Sequence, residues 1–306
     1  MLKTEEIQAF IQVVNSGTIT AAAGQLQLAK SAVSRRLSEL EEQLGVELFH
    51  RTTRKLSLTD SGRAFYERCV QILDDLTEAE HSVSESHREI RGKIKVAVPL
   101  TFGVMHLGPA IIDFQRQHPD INFDIDFNDR EVDLIQEGFD VGIRIADLKD
   151  SSLIARKLAE ISLQVCASPA YLLEHGEPQT PEDLQEHACI TYSYLEHPDL
   201  WSFHDKAGKQ VSVKVNNSMS ANNGLFMLDA ATAGLGIIRH PAFIAYEEIA
   251  AGKLVPILQE YAAESVNAYA IYPPTRHLSQ RVRRFVDFLV ERFEGKPYWE
   301  ECLKQK

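Results

Sequence analysis

Cysteine is scarce, and the four present stand apart: Cys69, Cys166, Cys189 and Cys302 make no pair at metal-ligand spacing. A zinc site or a disulfide framework needs clustered or regularly spaced cysteines. All four therefore read as buried apolar thiols of a reduced interior, in preference to redox sensors. No window reaches the roughly 18 consecutive apolar residues that cross a bilayer. The opening MLKTEEIQAF puts two glutamates where a signal peptide needs a basic end and an apolar run. Neither secretion nor membrane insertion is expected, and the cytoplasm is the expected compartment. A nucleophile elbow, a Walker loop and a metal-ligand His pair are also missing, so no metal or cofactor is expected. Gly234-Leu235-Gly236 lacks the third glycine of a dinucleotide fingerprint and reads as a helix-strand turn. Catalytic triads assemble from distant residues, so an α/β enzyme stays open as a remote alternative. It would leave the N-terminal patterns described next without a purpose.

What is present fits a folded chain of two domains, or of one large domain with an appendage: 306 residues, 44% hydrophobic and 25% charged. The charge is unevenly divided. Residues 1–66 carry eight Lys+Arg against seven Asp+Glu, whereas the whole chain stands at −12, which leaves −13 on the remainder. A slightly basic head on an acidic body points any polyanion to the head.

That head reads as three short helices and a hairpin. Ile7, Phe10, Ile11 and Val14 recur at helical spacing, and Ser16-Gly17 ends the segment. Thr20 to Leu26 is helical and alanine-rich, which lets another helix cross closely. After Gln27-Leu28-Ala29 comes a third helix, Lys30 to Leu44, with Val33, Leu37, Leu40 and Leu44 as its buried stripe and Gly45 as its stop. Its opposite face begins with Lys30, Ser31, Ser34 and Arg35, polar and basic side chains suited to base edges and phosphates in a major groove. Val46 to Leu58 has apolar flanks around a basic centre, a hairpin whose tip, Arg51 to Lys55, would follow the phosphate backbone. A three-helix subdomain with a merely solvated charge run is the alternative.

These residues carry a resemblance. Gly17-Thr18-Ile19-Thr20-Ala21-Ala22-Ala23, then Ser31-Ala32-Val33-Ser34-Arg35-Arg36-Leu37, then Leu40 through Arg51 resemble the winged helix-turn-helix of LysR-type transcriptional regulators. Leu58-Thr59-Asp60-Ser61-Gly62 resembles that family's entry into its linker helix. Ala29 departs from the pattern, since the family often has Ser or Thr before the recognition helix; losing that cap costs about 1 kcal/mol. The resemblance implies DNA contacts from Thr20, Lys30, Ser31, Ala32, Ser34 and Arg35, and from Arg51, Thr52 and Arg54 in the wing.

Thr59 and Asp60 suit the start of a further helix. From there Phe65, Cys69, Ile72, Leu76, Ala79 and Val83 alternate at spacings of four and three, a narrow seam that must pair with something. It could pack on the chain's own C-terminal domain; the resemblance implies a second copy.

Beyond a hinge at Arg91-Gly92-Lys93, strand and helix patterns alternate, which indicates parallel α/β sheets. Ile94–Pro99, Phe123–Phe127, Asp140–Ile145, Ser162–Pro169 and Ala268–Tyr272 read as strands; Leu107–Gln117, a short helix at Leu134-Ile135, Gly224–Ala233 and the stripe Val282, Phe285, Val286, Leu289 and Phe293 read as helices. Phe139-Asp140-Val141-Gly142-Ile143-Arg144, Ala167 to Leu172 and Ala233 to Ile237 extend the LysR resemblance over nearly the whole chain. The implied fold is an N-terminal, mainly α winged helix-turn-helix (1–58), a linker and dimerisation helix (59–90), and a two-lobed α/β periplasmic-binding-protein-like effector domain (91–306). Lobe 1 would span about 91–161 and 269–306, and lobe 2 about 162–268, with crossovers near 161–165 and 266–270. Carried over position by position, the effector pocket comprises Thr101, Phe102, Arg144, Ile145, Asn222, Arg239 and His240. Thr101 and Asn222 would hydrogen-bond, and Arg144, Arg239 or His240 would pair with a carboxylate, so a small polar or anionic effector is expected. For each Arg an internal salt bridge or a solvated surface position, and for His240 a structural hydrogen bond, remain alternatives. The implied partners are a double-stranded, inverted-repeat DNA operator, a second copy or a dimer of dimers, and RNA polymerase where the outcome is activation. An effector-independent repressor or architectural DNA-binding protein is the competing reading.

Overall fold

The computed structural model describes residues 2–50, 56–83, 90–146, 153–274 and 278–302. The expected wing contacts Arg51, Thr52 and Arg54, and the side chains of Ala79 and Val83, lie outside the described residues. The chain forms two compact units, 1–89 and 90–306.

In the first unit, α1 (Thr4–Ser16), α2 (Ile19–Gln25) and α3 (Lys30–Leu44) precede an antiparallel pair of two-residue strands, β1 (Phe49–His50) and β2 (Ser57–Leu58), and α4 (Asp60–Val83). Ala9, Phe10 and Val13 of α1 are fully buried; Ile11 and Val14, expected on that face, lie half-buried at its margin. Ala22 and Ala23 give α2 a flat inner surface, and α3 packs Val33, Leu37 and Leu40 into the same core, with Leu44 at its edge. Gly45 stops α3 in the left-handed conformation, φ 69°, its N–H returning to Glu41 O at 2.9 Å. Thr59 caps α4, its Oγ1 accepting from Gly62 N at 2.9 Å.

The heptad seam of α4 is divided. Phe65 packs against Phe10, ring centroids 5.5 Å apart, and Cys69 is buried, so these two belong to the chain's own core instead of an open seam. Ile72 and Leu76 remain 49% and 42% exposed. The cause is that α1 already presents an aromatic surface to the first turns of α4.

The second unit runs β3 (Gly92–Val98), α5 (Leu100–Phe102), a π-helical turn (Gly103–Leu107), α6 (Gly108–Gln117), β4 (Ile121–Phe127), β5 (Val141–Ala146), β6 (Ile154–Ile161), β7 (Leu163–Ala167), α7 (Pro169–His175), β8 (Cys189–Tyr192), β9 (Leu200–His204), β10 (Gln210–Lys214), β11 (Asn217–Ala221), α8 (Gly224–Thr232), β12 (Ile237–Pro241), α9 (Ala242–Ala250), β13 (Val255–Pro256), β14 (Ala262–Ala263), β15 (Val266–Tyr272), α10 (Gln280–Phe293) and α11 (Tyr298–Cys302). One sheet has the order β4-β3-β5-β15-β6, the other β11-β8-β12-β7-β13, and a small antiparallel sheet, β10-β9-β14, accompanies the second.

Both large sheets are mixed, where the strand-helix alternation predicts parallel ones. β4, β3 and β5 are parallel, but β15 runs against both its neighbours; β11, β8 and β12 are parallel, but β7 runs against β12 and β13. The chain crosses between lobes through Ser162 and returns through β15, and these connecting strands enter each sheet in the opposite sense. The first helix begins at Leu100, well before the expected Leu107, and Leu134-Ile135 lie in a turn closed by Phe139 N on Leu134 O, 2.8 Å, instead of a helix. Gly234-Leu235-Gly236 is a helix-strand turn: Gly236 has φ 157°, and a Cβ there would stand 2.6 Å from Ala188 O. All five residues of the last predicted stripe are buried on α10. The C-terminal α11 is pinned at the crossover, Glu300 accepting from Ser162 N at 3.0 Å and Ser162 Oγ at 2.8 Å.

Candidate nucleic-acid interface and ligand cleft

The buried stripe of α3 turns the rest of that helix outward. Lys30, Ser31, Ser34 and Arg35 are exposed and Ala32 is half-buried; Thr20 on α2 is exposed too. Arg35 Nε stands 3.6 Å from Glu39 Oε1 with its side chain 75% exposed, a screened pair that can be exchanged for a phosphate. Arg36, next in sequence, is instead held by Glu5 at 2.5 Å. Glu41, which pattern reasoning passes over, is a positioning residue: its Oε1 accepts Leu48 N at 2.8 Å and Phe49 N at 3.3 Å, tying the root of the hairpin to α3. Its position one turn from Gly45 is the local signal that could have found it. A helix with a polar, basic outer face fits a major groove about 12 Å wide.

In the second unit, strand ends of the two lobes meet. Thr101, 6% exposed, opens the first helix of lobe 1; Gly224 and His240 face it from lobe 2. A Cβ on Gly224 would lie 3.4 Å from Thr101 Oγ1, 3.4 Å from His240 Nε2 and 2.8 Å from Ile244 Cδ1, so the two lobes approach closely here and a larger residue would require the Ile244 side chain to shift. His240 Nε2 donates to Gly224 O at 3.0 Å, and burial pushes its pKa down to about 4, so the ring is neutral near pH 7. Asn222 is exposed and donates from Nδ2 to the Tyr194 hydroxyl at 3.0 Å.

Of the remaining expected pocket residues, Phe102, Ile145 and Arg239 turn elsewhere, while the charge of Arg144 is felt by Asp129, just past β4. Phe102 is fully buried in an aromatic cluster, 5.1 Å from Phe243 and 6.0 Å from Trp299, because the helix starts early and turns this side chain inward. Ile145 packs half-buried against the core. Arg144 donates to Arg130 O at 2.9 Å and Val132 O at 3.5 Å. Arg239 lies over Trp201, 5.4 Å from the ring, since neighbouring strand residues point to opposite faces and His240 takes the cleft side. Burial lowers the pKa of both arginines.

Three residues absent from the expected set occupy the cleft. Asp129, just past β4, accepts Leu100 N on Oδ1 at 2.9 Å. Burial first, then the Asp129 charge, push the Tyr192 phenol above its ordinary range. Tyr192 and Tyr194 stand edge to face, centroids 5.9 Å apart at 88°. Placement beyond a strand end would have flagged Asp129; Tyr192 ends β8 and Tyr194 follows it, a strand that alternation does not reveal. A hollow of about 330 Å³ is lined by Lys157–Glu160, Val290 and Phe293–Gly295, none of which belongs to this cleft.

Comparison with known proteins agrees with both halves. Residues 4–63 match the family model described as "Bacterial regulatory helix-turn-helix protein, lysR family", and residues 87–294 match "LysR substrate binding domain". The regulator CrgA of Neisseria meningitidis serogroup B is 36% identical over 292 residues, 94% of this chain and 96% of CrgA. A solved structure of CrgA from Neisseria meningitidis superposes with TM-score 0.62 at 34% identity, covering 96% of this chain and 100% of that one. The full-length Vibrio cholerae virulence activator AphB gives TM-score 0.60 at 28% identity over 94% of this chain and 99% of AphB. An exposed recognition face, a two-lobed mixed α/β unit and these matches together place the chain in the LysR family of DNA-binding transcriptional regulators, with an N-terminal helix-turn-helix and an effector-binding domain.

Proposed function

We propose that this regulator, acting on DNA in the cytoplasm and without catalytic activity, binds an inverted-repeat operator as a dimer or a dimer of dimers. Ser34 and Arg35 read or orient in the groove, Thr20, Lys30 and Ser31 support them, and Arg51, Thr52 and Arg54 contact phosphate. Copies pair through the part of α4 that bears Ile72 and Leu76. The inter-lobe cleft at Thr101, Gly224 and His240 takes a small molecule, and its occupation shifts the assembly between arrangements with different DNA geometry, which requires unequal affinity for the two. Contact with RNA polymerase follows where the outcome is activation. The observation that carries this reading is the exposed polar and basic face of α3 opposite its buried stripe.

The test is anisotropy with DNA from upstream of the protein's own gene. Arg54→Ala should weaken all sequences alike and flatten the salt dependence by about one charge. Ser34→Ala and Arg35→Ala should also change the ranking of operator variants. Equal binding by wild type and all three variants would remove this DNA face.

A further inference from the structure

Thr101 and Phe102 are neighbours in α5 and face different ways: Thr101 borders the cleft, and Phe102 enters an aromatic cluster behind it. Lobe 2 repeats the arrangement. Ile244 of α9 reaches toward Gly224 in the cleft, and Phe243, one residue earlier, meets Phe102 with ring centroids 5.1 Å apart. The cleft floor and the cluster are two sides of one wall, made half by each lobe. Rotation of one lobe against the other moves Phe102 against Phe243.

The C-terminal α11 closes that wall from behind. It follows α10 after the four residues 294–297 and lies against α9 of lobe 2. Trp299, fully buried, has rings of both lobes around it: His106 at 4.5 Å, Phe102 at 6.0 Å and Phe293 at 6.3 Å from lobe 1, and Phe243 at 6.2 Å from lobe 2. His106 also bridges the lobes by hydrogen bonds. Its Nε2 donates to the Phe243 carbonyl at 3.1 Å, which leaves Nδ1 to accept from the Tyr298 hydroxyl of α11. Glu300 accepts from Ser162 N and Oγ at the crossover itself. A helix of five residues thus holds both halves of the wall and the strand connection between them.

One feature marks this docking as releasable. Among the described residues the buried Trp299 indole N–H meets no acceptor. An unmet buried donor costs free energy that water returns on release, so the docked and released states lie closer than the ring packing alone would set them.

We propose that α11 is a strap across the two lobes: it holds the cleft at one opening, and that opening changes only when Trp299 slips within the aromatic cluster or leaves it. This rests on the reading of the inter-lobe cleft as the effector site. The test measures the angle between the lobes with no ligand present. Spin labels go on Arg283→Cys of α10 and Leu173→Cys of α7, both exposed, in full-length Cys302→Ser protein, with labelled subunits diluted into unlabelled ones. The other three cysteines are buried. The distance distribution from double electron–electron resonance should be narrow in this parent and about twofold wider, or shifted, in Glu300→Ala. Ser162→Ala removes one hydroxyl donor and should act in the same direction by less; it keeps the test valid if Glu300→Ala folds poorly. Val213→Ala, a truncation on β10 in the other hydrophobic core of this unit, should leave the distribution unchanged. An unchanged distribution in both strap variants, even with lowered stability, would make α11 a cover only and overturn the proposal. Equal widening by Val213→Ala would do the same. The bend of DNA from upstream of the protein's own gene, read in a circular-permutation gel, separates the strap from the effector reading. A wider distribution with an unchanged bend supports the strap and removes the link between lobe arrangement and DNA geometry.

Discussion

His240 makes the stability of the second unit depend on pH in a way that one substitution isolates. Its folded pKa of about 4 lies below the ordinary 6.5 because the ring is buried, with Nε2–H committed to Gly224 O. The unfolded chain takes up the proton first as pH falls. The stability contribution is therefore whole above pH 6.5 and is lost between pH 6.5 and 4. At pH 5 the unfolded imidazole is almost fully protonated and the folded one only about a tenth, a difference of about 2 kcal/mol. His240→Gln keeps an N–H donor without a titration, so the variant's stability should fall by about 2 kcal/mol less than wild type between pH 7.5 and 5. The burial-lowered His106 contributes to both proteins and cancels in the comparison. The assay is urea unfolding of the full-length chain followed by tryptophan fluorescence. The sequence has two tryptophans, Trp201 and Trp299, both buried in the second unit, so the signal reports that unit alone. The same pH dependence in wild type and variant would refute the argument.

Three further outcomes are expected. Gly62→Ala should destabilise the head by about 1–3 kcal/mol in a helix-content melt, because a Cβ there would stand 2.0 Å from the Leu48 carbonyl oxygen, a clash larger than the roughly 1 kcal/mol that alanine contributes to helix propensity; an unchanged melt would mean the backbones can separate freely. Leu76→Asp should lower the sedimenting mass and the operator affinity together while leaving monomer helix content intact, since the side chain is already 42% exposed within the chain; an unchanged oligomer would place the pairing surface elsewhere. Glu300→Ala should lower the fluorescence-detected stability by about 1–3 kcal/mol by removing the acceptor of Ser162 N and Oγ at the crossover, and no loss would show that α11 is held by its aromatic packing alone.

Local pattern carried much of the head. The stripe Val33, Leu37 and Leu40 and the stop at Gly45 are written within one helix, and α3 has the bounds that this pattern predicts. The last helix, with Val282, Phe285, Val286, Leu289 and Phe293, was legible for the same reason. Where one periodic face could serve two partners, the sequence was silent. Phe65 and Leu76 belong to one heptad-spaced seam, yet Phe65 meets Phe10 and Leu76 does not enter the core, because α1 covers only the start of α4.

By itself, then, the sequence determined the elements whose hydrogen bonds and apolar spacing close within a few residues, together with the order of motifs that marks the family. The tertiary structure alone decided the direction of the sheets and the character of the cleft. Arg144, Arg239 and His240 look alike in the sequence as positive groups near strand ends. One meets backbone carbonyls, one a tryptophan ring, and one loses its charge to burial. Thr101 and Gly224 come together only because two lobes, each closed by a returning strand, bring their strand ends face to face. A long polar side chain takes its role from the partner within reach, and that partner is set by packing between distant segments, which no local spacing encodes.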